Sequence, residues 1–444
     1  MSWKSGGLRW CLVGILAVTL ITGCSGNKPK PDQVFLMPAP DVYDEDGGVD
    51  PFVGRDYIED NETPGILYAT DRQPATEKDK KQRYYSDRRA YAVRLGLANI
   101  QLGDDDSITW EEARRITLLK NRTTNYPLQV TSVEDFGALE RSISPFDSKT
   151  PRSPEAGDRF AEELNKRLKR TELKDVFIYV HGYKVNFENP VLVASELWHF
   201  LGYNGVMIAY AWPATFNFTA YFSDIEDATQ SSRNLRSLLL HISQNTDAER
   251  IHLIGYSTGT RLVSRTVADL GMYAYGLDPE VVDEALNIGN VLLVGSDMDR
   301  AILAGYLIDG TMDVVDSFTI YQSAADKTLN MSKFVFGKER SGQKIDRERD
   351  EAAIEYLREH PAIRIIDISH AADIKQNNGH SYFRSSPWVS SDVLMTLRYN
   401  LDPASRGLVL DADGVSWEFP PDYIERLREA LKISLEGYAE TVSP

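Results

Sequence analysis

From residue 154 onward the chain alternates two patterns of apolar and polar positions. Short runs rich in β-branched and aromatic residues lie at 176–180, 206–212, 251–254, 291–294, 318–321 and 363–366. Runs of this length, apolar at most positions, predict strands buried on both faces of a sheet. Between them are longer stretches with apolar residues three and four apart. Phe160, Leu164 and Leu168 mark a helix over 155–169, and Leu262, Val263, Val267 and Leu270 mark another. Further helices are predicted at 190–201 and 224–243, and a last one at 423–435 after Pro420-Pro421. Strand and helix in alternation predict an α/β fold, with a mostly parallel central sheet and helices on both faces.

The first 153 residues read differently. A strand is expected at Gly65-Ile66-Leu67-Tyr68-Ala69-Thr70, a charged solvent-facing loop at 78–89, and a second strand region at 91–102. Asp104-Asp105-Asp106 follows without the spacing of a calcium loop, so it reads as a solvated turn rather than a metal site. Residues 24–62 are rich in Pro, Gly, Asn and Asp and are expected to be a flexible tether. One domain then spans 63–438, with a highly charged and mobile surface insertion at 337–352.

At the extreme N-terminus Lys4 and Arg9 precede an apolar run, 11–21, too short to span a bilayer. Residues 1–23 therefore read as a secretory signal. Ile21-Thr22-Gly23-Cys24 resembles the bacterial lipobox, which implies cleavage before Cys24 and diacylation of its thiol. Ser25, rather than an aspartate, follows the cysteine, which by the same resemblance implies the outer membrane, with the protein facing the periplasm. The membrane partner is then the N-terminal lipid.

Composition narrows the chemistry. The two cysteines are Cys11, lost with the signal, and Cys24, occupied by lipid. No thiol is left for a disulfide, a zinc cluster or nucleophilic catalysis. The formal charge is −17 before two cationic residues leave with the signal. So acidic a surface argues against nucleic acid as a partner.

The candidate chemistry centres on Gly255-Tyr256-Ser257-Thr258-Gly259, a G-x-S-x-G sequence between a predicted strand and a predicted helix. A chain of this length contains that pattern by chance roughly one time in seven, but the strand–turn–helix context is what the nucleophile elbow requires. Ser257 is the candidate nucleophile. His380, in the polar loop Gly379-His380-Ser381-Tyr382-Phe383 beyond the 363–366 strand, is the candidate base, with His370 its rival. The acid is expected after the strand two beyond the elbow. Asp326 holds that position, Asp297 and Asp299 close the preceding strand, and Asp367 and Asp373 flank the last one. The oxyanion hole is assigned to the N–H groups of Thr258 and Tyr183, the latter after His181-Gly182; His181 itself is read as shaping the loop. Phe216, Phe218, Tyr221 and Phe222 form either an apolar lid or acyl pocket, or the ordinary packing of a crossover loop. None of this calls for a metal or cofactor.

Tyr-Ala-Thr-Asp-Arg at 68–72, Val-His-Gly-Tyr at 180–183, Ala-Trp-Pro at 211–213, the elbow and Gly-His-Ser-Tyr-Phe at 379–383 together resemble the bacterial α/β-hydrolase family known as domain of unknown function 900. The resemblance covers residues 65–427. That family more often has His-Ser-Met-Gly at the elbow, where this chain has Tyr256-Ser257-Thr258-Gly259. Membership implies the α/β-hydrolase fold and an esterase- or lipase-like activity on a small-molecule or lipid ester. Acyl transfer on the same triad and a non-catalytic envelope scaffold are the competing readings.

Overall fold

In a buried parallel sheet both faces of each strand meet helices, so successive residues of one strand enter opposite cores. The strand Asp175–Val180 does this. Phe177 and Tyr179 pack into one apolar cluster, with Ile254, Leu292 and Tyr321, beneath the helices Glu188–Phe200 and Pro387–Tyr399. Val176, Ile178 and Val180 enter the other, with Leu253, Leu293 and Ile320, beneath Glu155–Leu168, Tyr221–Asn245 and Gly259–Ala274. The structure is a computed structural model that describes residues 33–43, 49–52, 65–79, 82–104, 108–119, 122–215, 221–346, 350–372, 374 and 379–442, without the side chains of 221–222, 334–336 and 434–442.

The strands in chain order are β1 Val34–Phe35, β2 Ile66–Pro74, β3 Tyr85–Leu102, β4 Pro127–Ala138, β5 Asp175–Val180, β6 Val206–Ala211, β7 Arg250–Tyr256, β8 Ile288–Val294, β9 Ser317–Gln322, β10 Ile363–Asp367, β11 Val409–Leu410 and β12 Ser416–Glu418. Among the described residues they form one sheet in the order β1-β4-β3-β2-β6-β5-β7-β8-β9-β10-β12-β11. From β2 to β12 the neighbours run parallel, while β1, β4 and β3 add an antiparallel edge and β11 a short one opposite. This is the α/β-hydrolase fold. The loops after β5, β7, β8, β9 and β10 all leave the same edge of the sheet, where open α/β sheets bind ligands.

Four expectations are corrected. Part of the 24–62 tether, residues 33–43, is folded onto the body: β1 pairs with β4, and Val34, Met37, Val42 and Tyr43 are buried. Its proline-rich composition masks this apolar set. The loop expected at 78–89 ends early, because β3 begins at Tyr85 and pairs Tyr85 with Pro74. The 337–352 insertion is not wholly a surface feature, since Arg340, Ser341 and Gln343 are buried. The Arg340 guanidinium donates to the Asp297 carbonyl at 3.0 Å, which lets a charged residue lie inside. Nor is β10 the last strand, because β12 pairs with it in parallel.

The N-terminal strap is held by a buried carboxylate. Glu196 accepts from the Met37 N–H at 2.5 Å and from Arg384 Nε at 2.6 Å, and Arg384 Nη2 donates to the Phe35 carbonyl at 2.8 Å. A second ion pair, Arg406 Nε to Asp392 Oδ1 at 2.7 Å, is fully buried. Tyr321 of β9 donates to the other Asp392 oxygen at 2.8 Å. Removing one partner strands the other charge in the core, which typically costs about 3–5 kcal/mol. Arg406→Met is therefore expected to lower unfolding stability by about that much, measured by urea denaturation; an unchanged midpoint would show that Asp392 is not held as a buried anion.

Candidate active site

β7 ends at Tyr256 and the helix Gly259–Ala274 begins three residues later, so the chain must reverse direction within the elbow. Ser257 takes the left-handed conformation to do so, with φ of 52°, uncommon for any residue with a side chain. Its N–H donates to the Val294 carbonyl at 2.9 Å, tying the turn to β8. The turn is also pressed from above. A Cβ on Gly182 would lie 2.8 Å from Ser257 Cβ, and one on Gly259 would lie 2.3 Å from the His181 carbonyl oxygen. Only glycine allows the loop after β5, the serine and the helix start to approach this closely.

Three side chains from three loops meet here in line. His380 Nε2 lies 2.9 Å from Ser257 Oγ, and His380 Nδ1 lies 2.7 Å from Asp326 Oδ2. All are buried, with Ser257 at 4%, Asp326 at 1% and His380 at 9% exposure. Asp326 uses both oxygens. Oδ1 accepts from the N–H groups of Thr328 and Leu329 at 2.9 and 3.0 Å, capping the helix Lys327–Phe336, which leaves Oδ2 for the imidazole. A carboxylate on the Nδ1 side keeps the proton on Nδ1 and leaves Nε2 to accept from the serine.

The rivals are placed elsewhere. Asp297 Oδ1 pairs with Arg261 Nε at 2.8 Å, and its Oδ2 receives a long 3.5 Å bond from Thr258 Oγ1. Asp299 caps the helix Arg300–Ile308 through Ala301 and Ile302. Asp367 accepts from Ser369 and lies 2.5 Å from Lys344 Nζ. His370 is exposed, and Asp373 lies outside the described residues.

The oxyanion-hole candidates flank the serine. Thr258 stands at the start of the helix Gly259–Ala274, where no side chain caps the first turn, so that end's partial positive charge faces Ser257. Tyr183 follows Gly182 and is half-buried; burial, then the Asp297 and Asp224 charges, raise its phenol pKa. His181 stacks on Trp212 at 5.2 Å, and its ring nitrogens face the carbonyls of Gly182 and Trp212 at 2.6 and 3.1 Å. Burial, then the charge of buried Arg72, holds its pKa well below the usual histidine value, so the ring is neutral. Arg72 Nη2 in turn donates to the Val185 carbonyl at 2.9 Å, bracing the same loop. Cys24, Phe216 and Phe218 lie outside the described residues. Tyr221 and Phe222 open the helix Tyr221–Asn245, but their side chains lie outside as well.

Two tyrosines inside the quoted motifs make supporting contacts that carried no sequence signal. Tyr256, where the family more often has histidine, packs against the His380 ring at 5.3 Å and bonds Ser381 through its hydroxyl at 2.9 Å. Burial pushes that phenol up to about 12, so it stays protonated and neutral. Tyr382 receives the Gly295 N–H, tying the histidine loop to the loop after β8. Neither contact follows a sequence period. Both join residues that become neighbours only when β7, β8 and β10 align.

The fold and this geometry together define an α/β hydrolase. The family model described as "Alpha/beta hydrolase of unknown function (DUF900)" matches residues 156–398, more than half of the chain, and the chain belongs to that family. The match includes β5 to β10 and the three aligned side chains, but not β2 to β4 or the 68–72 motif, so it is narrower than the resemblance suggested. The chain is also similar to a lipase-esterase related protein from Clostridium acetobutylicum ATCC 824, known from its crystal structure. That similarity is 12% identity with a TM-score of 0.20, over 60% of this chain and 95% of the other. No curated protein matches.

Proposed function

We propose that this chain is a serine hydrolase that cleaves carboxylic esters through an acyl-enzyme. The observation that carries the reading is the line Asp326–His380–Ser257, at 2.7 and 2.9 Å, on a left-handed elbow. Ser257 Oγ attacks the ester carbonyl carbon while His380 Nε2 takes its proton. The carbonyl oxygen becomes an oxyanion facing the Thr258 and Tyr183 N–H groups. Collapse breaks the ester C–O bond, and the departing alcohol takes the proton from His380. Water then repeats the sequence on the acyl-enzyme, releasing the carboxylic acid and restoring Ser257.

A fluorophosphonate probe tests this directly. The purified protein is expected to be labelled at Ser257 and to turn over p-nitrophenyl esters, with graded acyl chains reporting the preferred length. Absence of labelling together with absence of turnover would overturn the reading.

The lipid anchor at Cys24 and the outer-membrane address belong to the same proposal. With the fold beginning by residue 33, a link of about nine residues keeps the body within about 30 Å of the acylated cysteine. Ester substrates in or near the membrane are then within reach. Cys24→Ser is expected to move the protein into the soluble fraction with ester hydrolysis unchanged. Failure of the wild type to incorporate labelled palmitate would refute the anchor.

A further inference from the structure

Three hydroxyls outside the aligned side chains form a chain that ends on the Ser257 backbone carbonyl. Thr260 Oγ1 donates to the Ser257 carbonyl at 2.6 Å, Ser296 Oγ donates to Thr260 Oγ1 at 3.0 Å, and Ser341 Oγ donates to Ser296 Oγ at 2.6 Å. All three residues are buried, and all three O–H bonds point the same way, toward the Ser257 carbonyl. Hydroxyls aligned head to tail polarise one another and strengthen each bond in the chain.

The acceptor makes this more than packing. The Ser257 carbonyl and the Thr258 N–H belong to one peptide unit, and in a trans peptide they point in opposite directions. Whatever holds the carbonyl down holds the N–H up. Rotation of that plane would withdraw the donor and turn a carbonyl oxygen toward the developing negative charge. Ser257 sits at φ of 52°, and such conformations cost on the order of 1–3 kcal/mol and persist only where the surroundings over-determine them. We propose that Ser341, Ser296 and Thr260 are positioning residues that fix the Ser257–Thr258 peptide and so aim the Thr258 N–H into the oxyanion hole. This rests on the serine-hydrolase reading and adds the device that sets its oxyanion donor.

The far end of the relay is anchored to the other catalytic loops. The Ser341 N–H donates to Met298 O at 2.9 Å, and the Gly342 N–H donates to Ser296 O at 3.0 Å. The Ser323 N–H, at the start of the loop carrying Asp326, donates to Gly342 O at 2.9 Å, and Gln322 Nε2 donates to Ser341 O at 3.0 Å. The segment expected to be a mobile insertion thus joins the elbow, the loop after β8 and the acid loop.

Thr260→Val keeps the shape of the side chain and removes the relay's terminal hydroxyl, while the Thr260 N–H still donates to the same carbonyl at 3.0 Å. It is expected to lower kcat about 10- to 100-fold with KM within about twofold, less than the 10²–10³ typical for deleting an oxyanion donor outright. Affinity for a trifluoromethyl ketone, which forms the same oxyanion reversibly, should fall by a matching factor. Thr260→Ser, which restores the hydroxyl, should recover both. Ser296→Ala and Ser341→Ala should move both quantities in the same direction by smaller factors, and they remain informative if the valine variant folds poorly. Wild-type kcat and inhibitor affinity in folded Thr260→Val, or in both alanine variants, would overturn the relay while fluorophosphonate labelling of the wild type left the hydrolase reading standing. A wild type that takes no label and turns over no ester would overturn both.

Discussion

Ser257→Ala is expected to abolish ester hydrolysis, lowering kcat by on the order of 10⁶, as loss of the nucleophile does in a serine protease. The change removes the hydroxyl oxygen that faces His380 Nε2 and leaves the bond from the residue-257 N–H to Val294 O in place. The fold should survive, so a urea titration of the variant should give nearly the wild-type midpoint while fluorophosphonate labelling disappears. Ser257→Gly separates strain from chemistry. It should be equally inactive but more stable than Ser257→Ala by up to about 1 kcal/mol, because glycine adopts φ near 52° without a steric penalty. Turnover undiminished in the alanine variant would remove Ser257 from the mechanism. A glycine variant less stable than the alanine one would show that the elbow stores no strain.

What could be read from sequence divides along a physical line. Strands of the parallel centre carry their own signal because both faces are buried: the run at 176–180 is β5 less one residue, and the run at 318–321 lies within β9. In the antiparallel edge, most of β3 was legible at 91–102, but β1 and β4 were hidden. β4 mixes exposed Gln129, Thr131 and Ser132 with buried Leu128 and Val130, and register shifts in its pairing with β3 break the period of two. Ser257, His380 and Asp326 could be nominated because chain order and strand position constrain them. The relay could not be. Its hydroxyls join residues 36 and 45 positions apart, and serine or threonine in a loop looks alike whether it faces water or a carbonyl. The charged stretch containing Arg340 misled for a related reason: a run of charge signals solvent only when no carbonyl waits inside to receive it.

Asp326→Asn tests whether the acid acts through charge and tautomer or merely as a helix cap. Asparagine preserves the cap, since its amide oxygen can accept from the Thr328 and Leu329 N–H groups as Oδ1 does. The amide nitrogen then faces His380 Nδ1 where Oδ2 stood 2.7 Å away. An N–H donated to Nδ1 stabilises the tautomer with its proton on Nε2, which cannot accept from Ser257, and the charge that would stabilise the imidazolium is gone. A loss of about 10⁴ in kcat is expected, with little change in unfolding free energy. Asp326→Ala should lose as much activity and in addition about 1 kcal/mol of stability, as the helix Lys327–Phe336 loses its cap. Asp297→Asn supplies the comparison. Asp297 faces Arg261 rather than His380, so that change should leave kcat within about tenfold and act mainly through stability. Steady-state rates and urea titrations on the three variants decide it. Loss of stability without loss of kcat at Asp326, or a loss of about 10⁴ at Asp297, would move the acid to the loop after β8.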